Sequence, residues 1–355
     1  MKVAIDTNSL YVTRAGTTRY INGLLSGIAE CKVPDLELDQ INWPVENLDY
    51  KQPGRAFKTA YRELIWAKAM APMMLRKQAP DVLHSAAGYF LAPPKATRLV
   101  VTLLDFALIT HPERYRTWQR WAGRKRLLKS VKADRFICIS RFTADEAIRL
   151  LGLPHTKIDV VYCATDLKPE MAVGDLPAGL ELPDDFFLFV GSLEPGKNLS
   201  LLRETYKLAK EKGITLPTLL IVGARWQGVP HEGPPPTNWK FLGRQPDEVL
   251  VRLYARAIAL LFPSKYEGFG LPVLEAMSFG CPVLCSPVAS IPEVGGTAVL
   301  YSPLTAPGYL EQIIRLLQEC GLRGDLQGKG RERAKEFSWE RCARETIESY
   351  RKSLT

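Results

Sequence analysis

The sequence has 355 residues and a mass of 39.7 kDa, is 46% hydrophobic, and carries 47 Lys/Arg against 38 Asp/Glu for a net charge of +9. That length and apolar content suffice for two domains with their own cores, and the lack of an apolar run of about 18 residues excludes a membrane-spanning helix. All of the excess charge lies in residues 1–170, which hold 26 Lys/Arg against 17 Asp/Glu while the remainder balances at 21 and 21, so this half suits an anionic partner (a phospholipid membrane or nucleic acid) or is a solvated basic surface.

Residues 1–6 open a strand rather than a signal peptide, so a cytoplasmic protein is expected. The seven cysteines are an odd number without a C-x-x-C pair, and core packing explains them better than disulfides or zinc. A loop over residues 6–18 precedes apolar residues at helical spacing from Arg19 to Ile28. Gly16 punctuates that loop, and a flexible glycine loop opening a helix suits an anion or a sugar. Further strands are expected at 39–43, 82–84, 99–103, 136–139 and 158–161 with helices between most of them, which predicts a parallel doubly wound sheet with ligand loops at one edge. His84 and Asp105 stand at strand ends, as binding residues tend to.

Residues 113–131 predict a basic helix bearing Arg116, Trp118, Arg120, Trp121, Arg124 and Lys125. Either it lies on an anionic membrane surface, with tryptophan at the headgroup level, or Trp118, Trp121 and Leu128 form a core stripe. Ser140 is placed to cap a helix that runs to Leu151, and residues 167–185, rich in proline and glycine, contain an inter-domain linker at 171–185.

The second half restarts the pattern, with a strand at 186–190, the turn Gly191-Ser192-Leu193-Glu194-Pro195-Gly196-Lys197, a helix from Ser200, and strands at 219–223 and 239–242. The run 257–262 is a buried strand that Pro263 and Ser264 end in a loop. Glu267 sits on that loop, Gly268 and Gly270 let the backbone approach a ligand, and Pro272 suits a first helical turn. The helix N-terminus, roughly +0.5 in charge, favours a diphosphate. Glu275, one turn further in, cannot bind phosphate and seeks hydroxyls. Gly280 ends the helix and residues 282–285 begin the next strand.

The stretch Pro263-Ser264-x-Tyr266-Glu267-Gly268-Phe269-Gly270-Leu271-Pro272-x-Leu274-Glu275 resembles the signature of the GT4-type retaining glycosyltransferases, down to two glutamates with seven residues between them. Gly280-x-Pro282-Val283, Ser286-Pro287, Pro292-Glu293-Val294-x-Gly296 and Phe337-Ser338-Trp339-Glu340 follow in the same order, and residues 191–199 resemble a second signature of that family. The resemblance implies the α/β GT-B fold, two Rossmann-like doubly wound domains facing across a cleft. Their expected limits are 1–170 on the acceptor side, the linker 171–185, 186–338 for the nucleotide sugar, and a helix 339–355 that returns to the first domain.

It further implies transfer of a sugar from a UDP- or GDP-linked donor to an acceptor hydroxyl, with retention and without cofactor or metal. Glu275 would hold the ribose and Glu267 the sugar hydroxyls. Lys197, Ser192 and the amides of Gly268, Phe269, Gly270 and Leu271 would take the diphosphate, with Lys197, Glu267 and Asp105 as the catalytic set, Asp105 and Gly16 lining the acceptor side, and the Gly16 loop also near the donor phosphates. Relatives carry histidine where this chain has Leu104, and an arginine at the position of Ser192 or Gly196; Arg225 could supply the cation and His111 the imidazole. A saccharide or lipid-linked acceptor in polysaccharide assembly is expected, at the inner face of a membrane. A nucleotide-sugar-binding relative without turnover and a GT-B-type nucleotide-sugar epimerase are the alternatives. Nothing beyond the basic half supports nucleic-acid binding.

Overall fold

Short β-rich apolar runs supply the strands of two six-stranded sheets in which every pairing is parallel. The computed structural model describes residues 1–13, 16–47, 54–88, 91–115, 117–171, 180–225 and 235–355. The chain divides into two compact units, 1–164 with 338–355, and 165–337. Six residues therefore separate this boundary from the expected linker, of which residues 172–179 lie outside the described ones.

In the first unit β1 (Lys2–Asp6), β2 (Glu37–Ile41), β3 (Val82–Ser85), β4 (Arg98–Leu103), β5 (Arg135–Cys138) and β6 (Ile158–Val160) stand in the order β2-β1-β3-β4-β5-β6. Helix α1 (Gly16–Cys31) crosses from β1 to β2. From β2 to β3 the chain runs through α2 (Arg55–Tyr61), a π-helical stretch Arg62–Met70 and α3 (Ala71–Gln78), consecutive segments of one helical run. The short α4 (Ala107–Thr110) and then α5 (Thr117–Ser130) lie between β4 and β5, and α6 (Arg141–Leu151) follows, capped by the Ser140 hydroxyl accepting from the Thr143 amide.

Alternation along the strands gives this sheet two apolar faces, each of which a helix layer must cover. On one, Ala4, Leu83, Val101 and Phe136 pack with Trp66, Ala71 and Leu75 of the 55–78 run, Ala144 of α6 and Leu127 of α5. On the other lie α1 and the terminal helix Trp339–Leu354. A Cβ on Gly23 would come within 2.0 Å of the Trp339 ring, so only glycine lets these two helices approach.

In the second unit β7 (Phe186–Val190), β8 (Thr218–Val222), β9 (Trp239–Gly243), β10 (Ala259–Phe262), β11 (Val283–Cys285) and β12 (Leu300–Tyr301) stand in the order β12-β11-β10-β7-β8-β9. Its helices are α7 (Leu199–Glu211), α8 (Asp247–Arg256), α9 (Leu271–Ser278), α10 (Ile291–Gly295), α11 (Ala306–Gln318) and α12 (Leu322–Ala334). Phe187, Phe189, Leu219, Ile221, Leu261 and Tyr309 are all buried in its main core.

Three details depart from the sequence reading. Strand β2 ends at Ile41 rather than at residue 43, the helical run 55–78 was not anticipated, and β12 adds an edge strand. Among the described residues no helix is long and apolar enough to cross a membrane.

Candidate active site

Parallel doubly wound sheets bind ligands outside the carboxyl ends of their strands, where the strand order reverses. In the second unit the order reverses between β7 and β10, because β8 and β9 are laid down on one side of β7 and β10 on the other. The two loops that leave this point are 191–198 and 263–270, the stretches carrying Ser192, Lys197 and Glu267 to Gly270.

The loops are tied together. The Lys265 amide donates to the Gly196 carbonyl at 2.9 Å, and the Ser290 hydroxyl to the Glu267 carbonyl at 2.9 Å. Glu194, buried, accepts from the Gly196 amide at 2.7 Å and so closes the 3-10 turn Pro195–Lys197. This turn delivers the Lys197 ammonium to the Glu267 carboxylate at 2.5 Å, with both side chains almost buried, and 5.6 Å above the Phe262 ring. Two residues given separate tasks by the sequence are therefore an ion pair.

Backbone demands explain the glycines at two positions. Gly270 caps α9 at φ +101°, and a Cβ there would meet Ile291 at 2.6 Å; no side chain caps this helix, in whose first turn Pro272 has no N–H to satisfy and the Val273 amide donates to the Gly270 carbonyl at 2.9 Å. Gly223, which follows β8, has φ +145°, and a Cβ would come 1.8 Å from the Gly191 carbonyl oxygen. The loop beginning at Gly191 is thereby pressed against the end of β8, and the Leu193 amide bonds the Ala224 carbonyl at 3.0 Å. Arg225, bridged to Leu193 through the backbone, stands beside the Ser192 turn.

Glu275 is only 3% exposed and accepts from the Tyr254 hydroxyl at 2.8 Å. Tyr254, stacked on Phe279 at 6.2 Å, is a member of this site that the sequence did not signal; its place in α8, 21 residues before Glu275 and outside the signature, carries no local pattern. Phe269 is also 3% exposed and its ring packs edge-on against Phe337 at 5.8 Å. Its side chain is thus part of the core, and any share it has in binding comes through the backbone.

In the first unit the strand order reverses between β1 and β3. Gly16 begins α1, and Asp105 follows β4 at the same edge, exposed, accepting from the Ala107 amide at 2.9 Å beside a small pocket of about 130 Å³ lined by Gly88, Thr102, Leu104 and Leu127. His111 pairs with Thr110 at 2.9 Å.

His84 is not a ligand-facing strand end. It is wholly buried, with Nδ1 2.8 Å from the Tyr350 hydroxyl and Nε2 2.8 Å from Thr102 Oγ1, which in turn lies 3.0 Å from the Tyr20 hydroxyl. Burial pushes its pKa down to about 3 and keeps it neutral. Asp6, read from sequence only as the first loop residue, is buried at the end of β1; burial raises its carboxyl to about 6, against hydrogen bonds donated by the Asn8 amide at 3.0 Å and side chain at 2.6 Å.

The basic helix lies at Thr117–Ser130, and Arg116 and the Trp118 side chain lie outside the described residues. Trp121 is 68% and Leu128 57% exposed, so neither belongs to a core stripe.

The family model described as Glycosyl transferases group 1 matches residues 177–333, and that described as Glycosyltransferase Family 4 matches residues 35–168. O-antigen chain mannosyltransferase B of Escherichia coli is 31% identical over 99% of this chain and 100% of that protein. Sucrose-phosphate synthase of Thermosynechococcus elongatus superposes with a TM-score of 0.73 at 19% identity, over 99% of this chain and 98% of that one. HepE of Anabaena, solved with UDP and glucose, superposes with a TM-score of 0.68 at 17% identity, over 99% and 100%. These two likenesses establish the fold, and the full-length relative establishes the lineage: the chain belongs to the GT4 family of glycosyltransferases and has the GT-B fold.

Proposed function

We propose that this chain is a retaining mannosyltransferase, moving mannose from a UDP- or GDP-linked donor to a hydroxyl of a saccharide or lipid-linked acceptor in polysaccharide assembly at an anionic membrane surface. The observation that carries the reading is the almost buried Lys197–Glu267 pair at the strand-order reversal, beside the uncapped N-terminus of α9. A diphosphate arriving there finds an ammonium and helix amides, and it competes with Glu267 for Lys197. The freed Glu267 carboxylate then accepts from sugar hydroxyls, while Glu275, fixed by Tyr254, accepts from the ribose.

As the bond from the anomeric carbon to the leaving phosphate breaks, negative charge grows on the diphosphate, and Lys197 with the helix terminus stabilises it without a metal. The acceptor oxygen bonds the anomeric carbon on the same face, and its proton passes to the departing phosphate oxygen. The name of the full-length relative supports mannose as the sugar and an O-antigen-like chain as the product.

The test is transfer from GDP-mannose and UDP-mannose to a mannosylated acceptor, with and without EDTA, the product's anomeric configuration read by NMR. Retained configuration from one donor with EDTA present is expected. An inverted product, or donor consumed without any acceptor product, would reject the reading.

A further inference from the structure

Among the described residues twelve large apolar side chains are exposed, and eight of them lie on two elements of the first unit. Phe57 (75%), Leu64 and Met73 (67%) stand on the 55–78 run, and Trp121 and Leu128 on α5. The inner side of that run is already committed, since Trp66, Ala71 and Leu75 fill the sheet core with Leu127 beside them. Its π-helical middle keeps Arg62, Trp66 and Ala67 inward while Leu64, Ile65 and Lys68 face out. A solvent-facing helix normally shows its charged face to water; this one shows an apolar face.

The two elements form one surface, joined by the ion pair of Arg126 with Glu63. Glu63 is the sole acid in residues 54–78 and 117–132, which hold twelve Lys/Arg, a net +11 against +9 for the whole chain. Lys125 lies 5.0 Å above the Trp121 ring, so a cation and an indole share one level. Apolar side chains ringed by cations, with one acid already paired, match a bilayer bearing anionic headgroups: the apolar tips enter the acyl boundary and the cations meet lipid phosphate.

We infer that the 55–78 run and α5 together are the face by which this protein docks on an anionic bilayer, with Phe57 and Met73 as inserting residues. The inference deepens the proposed function by naming the element that carries a lipid-linked acceptor's membrane to the enzyme, and it rests on that reading.

Vesicle flotation tests it, with phosphatidylcholine alone and with one-third phosphatidylglycerol. The wild type is expected to float only with the anionic vesicles. Phe57→Ser with Met73→Ser should lower partitioning by about tenfold or more, and Arg124→Ala with Lys125→Ala by about thirtyfold at low salt. Both variants should keep wild-type thermal stability and transfer to a soluble acceptor. No flotation of the wild type, or undiminished flotation of both variants, overturns the inference. So does a wild-type dimer in solution that Phe57→Ser dissolves, which would assign the face to a second copy. Flotation lost in the variants supports the docking face even if no sugar transfer is found, in which case only the enzymatic reading fails.

Discussion

The two units bury their apolar residues to different extents. In the second, described residues leave a single large apolar side chain exposed, Phe241, and the functional groups sit on loops pinned by backbone bonds, a buried ion pair and glycines with no room for a methyl group. In the first, two helices present apolar side chains outward, and the polar groups at the sheet edge are either wholly buried, as His84 and Asp6 are, or exposed, as Asp105 is. A diphosphate is small, charged and always the same shape, so its site gains from rigidity. An acceptor and its surroundings are extended, and the surface meeting them is shaped by what it touches.

The contrast can be broken most forcefully at Lys197. Lys197→Ala should lower kcat by about 10²–10³-fold in a donor-transfer assay, because it removes the cation facing the leaving group. An unchanged rate would strip the second unit of its special role. Next, Gly223→Ala should cost about 3 kcal/mol in chemical denaturation, since its Cβ and the Gly191 carbonyl cannot share that space and φ is wrong for alanine. A loss under 1 kcal/mol would mean that this loop relaxes, and the rigidity drawn above would be overstated.

The first unit can be probed by pH. His84, neutral in the fold down to about 3 and titrating near 6.5 when unfolded, makes stability fall as pH drops from about 6.5 towards 3, by at most about 1.4 kcal/mol per unit. Asp6 works the other way: its folded value of about 6 exceeds the ordinary 3.8, so stability falls as pH rises from 4 to 6. The two oppose each other between about pH 4 and 6, and the wild type should be nearly flat there. His84→Gln should expose the Asp6 slope, read by denaturation at stepped pH; a variant as flat as the wild type would remove both residues from the balance. The smallest effect is expected at Phe57, where Phe57→Ser should change stability by less than about 0.5 kcal/mol. A large loss would show that this ring is packed after all, and the two units would then bury their surfaces alike.

What could be read in advance follows the same division. The strand–turn–helix stretches of the second unit announce themselves because proline, glycine and glutamate at fixed spacing have local geometric causes, as at Gly270 and Pro272. Residues 55–78 have no such signal. Gly54 offers no side-chain cap, apolar residues occur on every side, and the π-helical stretch departs from the 3.6-residue period on which helix recognition rests. His84 shows the opposite failure. A histidine at a strand end looks like a ligand until its partners are known, and Tyr350 is 266 residues away in sequence. The Lys197–Glu267 pair joins two signatures that are each legible alone, but their pairing depends on β7 and β10 being neighbours, which is a property of the sheet.

The terminal helix has a consequence for how the molecule is made. Ribosomes deliver domains in order, and the leading one ordinarily folds first. Here residues 338–355, which complete the layer over Tyr20, Gly23 and His84, are synthesised after the whole of residues 165–337. The second unit therefore has all its strands before the first has its last helix, and the half that begins the chain waits, with one face of its sheet only partly covered, for the half that follows it.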